Sequence, residues 1–148
     1  MEGKLDISSL IQVYNSFSNS LDFAETIESQ YSDEIFYGKE SARASVIQHF
    51  EYTYELSWKI MKRFLEIDIG NQADALSRKG LFRMIGEKQL ISEFEPWNEF
   101  NNARNKTSHT YDEDIAEEVF CVAKKFKKYL KEFIDALKER EDLVTWRK

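Results

Sequence analysis

The sequence is poor in residues that turn a chain or staple it. One proline and five glycines in 148 residues leave few places where a helix must stop. That scarcity favours long helices over many short strands. Cys121 is the single cysteine, which excludes an internal disulfide and a cysteine-based zinc site. A reducing compartment is the natural expectation. The two histidines, His49 and His109, stand sixty residues apart and form no zinc-binding motif. No run approaches the roughly 18 apolar residues of a membrane span. The opening MEGKLDISSL has no apolar stretch of signal-peptide length. A cytoplasmic protein without membrane association is expected. Gly-rich phosphate loops and the Gly-x-Ser-x-Gly elbow are also missing, so nothing resembles a nucleotidyltransferase active site.

Excess positive charge is lacking too. There are 21 bases against 27 acids, a net charge of −6. This argues against broad, nonspecific coating of DNA and leaves room for a small local basic site. Hydrophobic residues at 42% and charged residues at 32% are globular proportions. A chain of this size can bury roughly 70% of its unfolded surface without staples. One domain over residues 1–148 is expected.

Helical periodicity dominates what is there. Leu10, Val13, Phe17, Leu21, Ala24 and Ile27 recur every three or four residues, with Ser8 or Ser9 as cap and an end near Tyr31. After a loop at Phe36–Glu40, Val46, Phe50, Thr53, Leu56, Ile60, Met61 and Phe64 mark a second helix. It runs from about Ser41 to Ile67 and is stopped by Gly70-Asn71. A short helix is expected from Ala73 to Ile85, ended by Gly86. Another starts at Glu95-Pro96-Trp97 and runs to about Thr107, its proline in the first turn, where the missing N–H does no harm. The last and clearest carries Ile115, Val119, Val122, Phe126, Leu130, Phe133 and Leu137. Thr110 with Glu113 fits a capping box, and Asp112 competes as cap. The fold expected is all-α: an antiparallel up-and-down four-helix bundle with an additional short helix.

The stretch ARNKTSHTYDED, residues 103–114, concentrates the polar chemistry. On an unbroken helix Arg104 and His109 would point about 140° apart. The run Ser-His-Thr-Tyr-Asp is rich in cap formers, so a helix break is expected near Ser108–Tyr111, freeing His109 to swing toward Arg104 or toward a second chain. An arginine fork suits phosphate oxygens, and a histidine moves protons near neutral pH. Together they meet the minimal needs of RNA cleavage by its own 2′-hydroxyl, with no metal and no cofactor. The plainer reading is a surface arginine beside a histidine at a helix end.

Other groups have plain readings of their own. Asp112, Glu113, Asp114, Glu117 and Glu118 favour a helix N-terminus, though their i, i+4 pairs could meet a divalent ion. Lys124, Lys127, Lys128 and Lys131 form a basic stripe that suits a solvated face or a phosphate backbone. His49 reads as a packed, half-buried polar group, Trp58 and Trp97 as core or interface aromatics, and Cys121 as a small buried hydrophobe. Glu51 and Glu55, one turn apart, are expected to pair with lysines or with another chain.

Two segments carry a family resemblance: SVIQHFEYTYELSWKIMKRFLE and FEPWNEFNNARNKTSHTYDEDIAEEV. Together they resemble the nucleotidyltransferase substrate-binding family, within the wider HEPN group of helical bundles, over roughly residues 8–137. Arg104, four residues, His109, one residue and Tyr111 match the Arg-x4-His-x-Tyr motif of the HepT-like toxins in that group. The chain differs in ALSRKGLF, where many relatives have a Ser-Pro-Arg-like turn. The resemblance implies a homodimer with the motif close to its interface and a minimal nucleotidyltransferase as partner. It implies a metal-independent endoribonuclease in which Arg104 steadies the phosphate and His109 is acid or base. Tyr111 would receive AMP from the partner, which silences the toxin, and Asn105 would orient Arg104 or the RNA. The alternative implied is a noncatalytic substrate-binding subunit that presents a nucleotide to a separate transferase. A purely structural helical adaptor is the third reading.

Overall fold

The computed structural model describes residues 3–30 and 36–147. Five α-helices carry the fold: α1 (Ser8–Gln30), α2 (Phe36–Ile69), α3 (Arg78–Glu87), α4 (Glu95–Asn105) and α5 (Glu113–Glu139). The chain is an all-α up-and-down bundle, with α3 as the short extra helix. The amphipathic stripes decide the packing: α1 lies on α2, and α5 packs against α1, α2 and α4. Phe126 on α5 is the hub. Its ring centroid lies 5.0 Å from Phe100, 5.3 Å from Phe50, 5.5 Å from Trp97 and 5.7 Å from Phe17. Most of these contacts are tilted or edge-on, the arrangement ring quadrupoles prefer.

A feature too short for periodicity ties the chain ends together. The strands β1 (Leu5–Asp6) and β2 (Val144–Thr145) pair in parallel, with Leu5 opposite Val144. Ser8 is the first residue of α1 rather than its cap. The Asp6 carboxylate accepts from the Ser8 backbone N–H at 2.9 Å and from its hydroxyl, and these bonds hold it below the usual carboxylate range. Helix α1 continues through Gln30, and the end expected near Tyr31 lies outside the described residues.

Boundaries of α2 and α3 differ from expectation. The segment expected as a loop at Phe36–Glu40 is the first turn of α2, which gains its stability from the long packed helix that follows. Gly70 does end α2, at φ +74°, but a 3-10 turn over Gly70–Ala75 follows before the chain straightens at Leu76. Helix α3 therefore starts at Arg78, not Ala73. Its cap is Ser77, whose hydroxyl accepts from the Gly80 N–H at 3.1 Å. Gly86 stays helical, and the left-handed residue that turns the chain is Gln89 at φ +63°.

Candidate functional site at the α4–α5 break

Helix α4 stops at Asn105, two residues before the expected end. The chain then makes a 3-10 turn over Thr107–His109 and re-enters helix at Glu113. Side chains that compete for backbone groups explain the interruption. The Thr107 hydroxyl donates to the Arg104 carbonyl at 2.8 Å, and the Thr110 hydroxyl to the Thr107 carbonyl at 3.1 Å. Asp112, rather than Thr110, caps α5: its carboxylate accepts from the N–H groups of Asp114 and Ile115 at 2.9 and 3.3 Å. The expected break is therefore present, and it is a tight turn.

Arg104 projects from the last turn of α4 onto α2. Its Nε lies 2.9 Å from Glu55 Oε1, and its Nη1 lies 3.4 Å from Glu51 Oε2. The Glu55 approach is an ion pair off the hydrogen-bonding line, since the buried Nε has no aligned acceptor. Thr107 closes the arrangement: its one hydroxyl proton is shared between the Arg104 carbonyl and Glu51 Oε2, 2.9 Å away. Glu55 is held from its other oxygen by the Trp58 indole N–H at 3.1 Å. The partners of Glu51 and Glu55 are thus Arg104, Thr107 and Trp58, not lysines. Beside this clamp lies a cleft of about 330 Å³, bounded by Arg43, Gln48, Glu51, Thr107 and Thr110.

His109 is exposed at the end of the turn. Its Nδ1 lies 3.4 Å from the hydroxyl of Tyr111, which is 84% exposed. The fold joins His109 with Tyr111, and Arg104 with Glu51, Glu55 and Thr107. It makes no hydrogen bond or ion pair between Arg104 and His109. Asn105 is exposed and does not bond Arg104. Positioning of the arginine falls to the two glutamates. Sequence spacing showed these on one helix face, but their partner lies about fifty residues away in the chain.

The remaining candidates resolve into structure. Glu113 and Glu117 share Arg43 at 2.9 and 3.5 Å, and Glu118 pairs with Lys106. In the lysine stripe, Lys124 and Lys128 lie over the rings of Phe120 and Tyr129, and Lys131 pairs with Asp135 at 2.7 Å. The half-buried His49 shares a hydrogen bond between its Nδ1 and the Ser45 carbonyl at 2.8 Å. Trp97 is wholly buried. Cys121 is exposed, against expectation. It lies two residues, about 200°, from Val119 at the centre of the buried stripe.

This helical frame and its polar break place the chain among the nucleotidyltransferase substrate binding protein like proteins. The match covers residues 5–139, and the chain belongs to that family. The chain is 41% identical over 80 residues to a Haemophilus influenzae protein named probable ribonuclease HepT. That alignment takes in 53% of this chain and 55% of the relative, so the chain matches about half the length of that curated protein. It also resembles the solved structure of HI0074 from Haemophilus influenzae, described as the fold of a substrate binding domain of a nucleotidyltransferase. The TM-score is 0.65 at 30% identity, over 84% of this chain and 98% of the other. No helix among the described residues is long and apolar enough to cross a membrane.

Proposed function

We propose that this chain is the toxin component of a HEPN and minimal-nucleotidyltransferase pair, a metal-independent endoribonuclease that acts as a homodimer. The observation that carries this reading is the exposed His109, set beside Tyr111 on a tight turn whose entrance holds a fixed arginine. The ribonuclease named among its relatives supports it.

In the proposed reaction a base removes the proton of an RNA 2′-hydroxyl, and that oxygen attacks the adjacent phosphorus. The bond to the 5′-oxygen breaks and an acid protonates the leaving oxygen, giving a 2′,3′-cyclic phosphate and a 5′-hydroxyl end. Two copies of His109 facing one cleft would supply the base and the acid. Arg104 offers its Nη2, which makes no hydrogen bond among the described residues, to the charged phosphorane. The partner transferase places AMP from ATP on the Tyr111 oxygen, releasing pyrophosphate. A bulky anion 3.4 Å from His109 would block the cleft. The experiment is growth of cells expressing the chain: wild type arrests growth and His109→Ala does not. Equal toxicity of the two sinks the reading.

One observation favours a second reading. The charge of Arg104 is already matched by two carboxylates, as suits a structural arginine in a noncatalytic subunit. Such a subunit would bind nucleotide or the transferase and leave RNA intact. Titration of the purified chain with both ligands, beside an RNA cleavage assay, separates the two readings.

A further inference from the structure

We propose that the Trp58–Arg78 stack, with Lys62 beside it and the exposed Lys79 next to Arg78 in the chain, is a second nucleic-acid contact that holds single-stranded RNA alongside the break. The proposal rests on the ribonuclease reading, since it names how that substrate is held away from the reacting phosphate.

The placement begins on α2. Glu51, Glu55, Trp58 and Lys62 follow one another at helical spacing on a single face. Arg104 rests on the first two and Arg78 on the third: the Arg78 guanidinium carbon lies 3.6 Å from the Trp58 ring centroid. Glu55 touches both groups, pairing with Arg104 and accepting from Trp58, so the two sites adjoin. Glu55 and Lys62 are about 10 Å apart along the helix axis, close enough for one strand to span.

Arg78 is half-buried, and its polar partners are neutral. Its Nη1 donates to Tyr54 Oη at 3.3 Å and to Asn101 Oδ1 at 3.1 Å. These bonds and the indole fix the plane of the guanidinium and leave its charge unmatched. The surroundings add to that charge. Residues 58–83 hold six bases and three acids, a net +3 within a chain of −6. Among the described residues none of the six bases makes an ion pair, whereas Asp68, one of the three acids, is engaged by Lys88 at 2.8 Å. A fixed, unmatched guanidinium plane on an aromatic ring is a stacking platform for a nucleobase, and flanking lysines suit the phosphates on either side.

The shape argues for a strand over a free nucleotide. The cleft bounded by Trp58, Lys62, Ser77 and Arg78 measures about 150 Å³. That is below the roughly 300 Å³ at which pockets begin to enclose small ligands. A surface contact of this size reads one stacked base and its phosphates.

The test is fluorescence anisotropy with a labelled, fully 2′-O-methylated oligouridine, which the proposed reaction cannot cleave. The double variant Lys62→Glu/Lys79→Glu should weaken binding about tenfold or more and reduce the slope of log affinity against log salt by about one to two. Arg78→Lys, which keeps the charge and loses the planar stack, should weaken binding about fivefold. Lys127→Glu, on the α1 side of α5, should bind as wild type does. Circular dichroism shows that each variant is folded. The proposal is overturned if the α2–α3 variants bind as wild type, if Lys127→Glu loses as much as they do, if uridine monophosphate binds as tightly as the oligomer, or if wild type does not bind the oligomer. Unchanged binding would leave the patch to an acidic protein partner. Cleavage of unmodified RNA by wild type, measured separately, decides the ribonuclease reading whatever the fate of this contact.

Discussion

Glu55 and Arg104 meet at 2.9 Å across the packing of α2 against α4, carboxylate Oε1 against guanidinium Nε. The arginine that enters the polar break is therefore aimed by a helix more than forty residues upstream. Its side chain and that of Glu55 are both about 30% exposed, so solvent screens the pair and its worth to stability is about 1 kcal/mol or less. Its value lies in direction. Glu55→Gln should lower the rate of RNA cleavage about tenfold or more, because a misaimed group loses much of its effect. The melting temperature should move by only a few degrees. Initial rates and thermal unfolding on the same preparation check this, and an unchanged rate would remove Glu55 from the account.

The start of α5 gives a sharper stability test. Asp112 accepts from two N–H groups of the first turn, whereas Thr110 bonds backward to Thr107. Asp112→Ala should cost about 1 kcal/mol in denaturant unfolding, as loss of a helix cap does. Thr110→Ala should cost less. The reverse order would reinstate the Thr110–Glu113 capping box.

The aromatic hub predicts a larger loss. Phe126 is fully buried and meets rings from α1, α2 and α4. Phe126→Ala should cost about 3 to 5 kcal/mol by chemical denaturation, the range for emptying an aromatic site in a core. Cys121→Ala, on the exposed side of the same helix, should fall within about 0.5 kcal/mol of wild type.

Tyr54 links stability to alkaline pH. Burial pushes its phenol up to about 12, opposed by the hydrogen bond from Arg78. In the unfolded chain the phenol ionises near 10. The folded form keeps its advantage in full below about pH 10. Between about pH 10 and 12 the unfolded chain loses the proton first, so stability falls as pH rises. Tyr54→Phe should be less stable by about 1 to 2 kcal/mol near neutral pH, through the lost bond to Asn101. That gap should narrow through the alkaline window. Denaturant unfolding at several pH values measures it, and a constant gap would contradict a shielded phenol.

What the sequence revealed follows the reach of its local rules. The stripes of α1, α2 and α5 were legible because a period near 3.6 marks a buried face. A break was expected near Ser108–Tyr111 because cap formers cluster there, and the turn begins slightly earlier, at Thr107. Cys121 was misjudged by residue type although the same periodicity places it opposite the core. Phe36–Glu40 was misjudged because packing of the long α2 outweighs local preference. The β1–β2 pair holds two residues per strand, too few for any pattern. Arg104 and His109 were candidates from residue chemistry, and Tyr111 from resemblance alone. The Glu51–Glu55 clamp could not be named, because nothing local in the sequence marks a contact between residues that far apart.

The central claim is that the break carries out metal-independent RNA cleavage through His109. The most direct measurement is mass spectrometry of a defined RNA after incubation with the purified chain in excess EDTA, beside His109→Ala prepared identically and with Tyr111 verified as unmodified. The account predicts 2′,3′-cyclic phosphate and 5′-hydroxyl fragments from wild type and intact RNA from the variant. Intact RNA from both, or the same fragments from both, would contradict it.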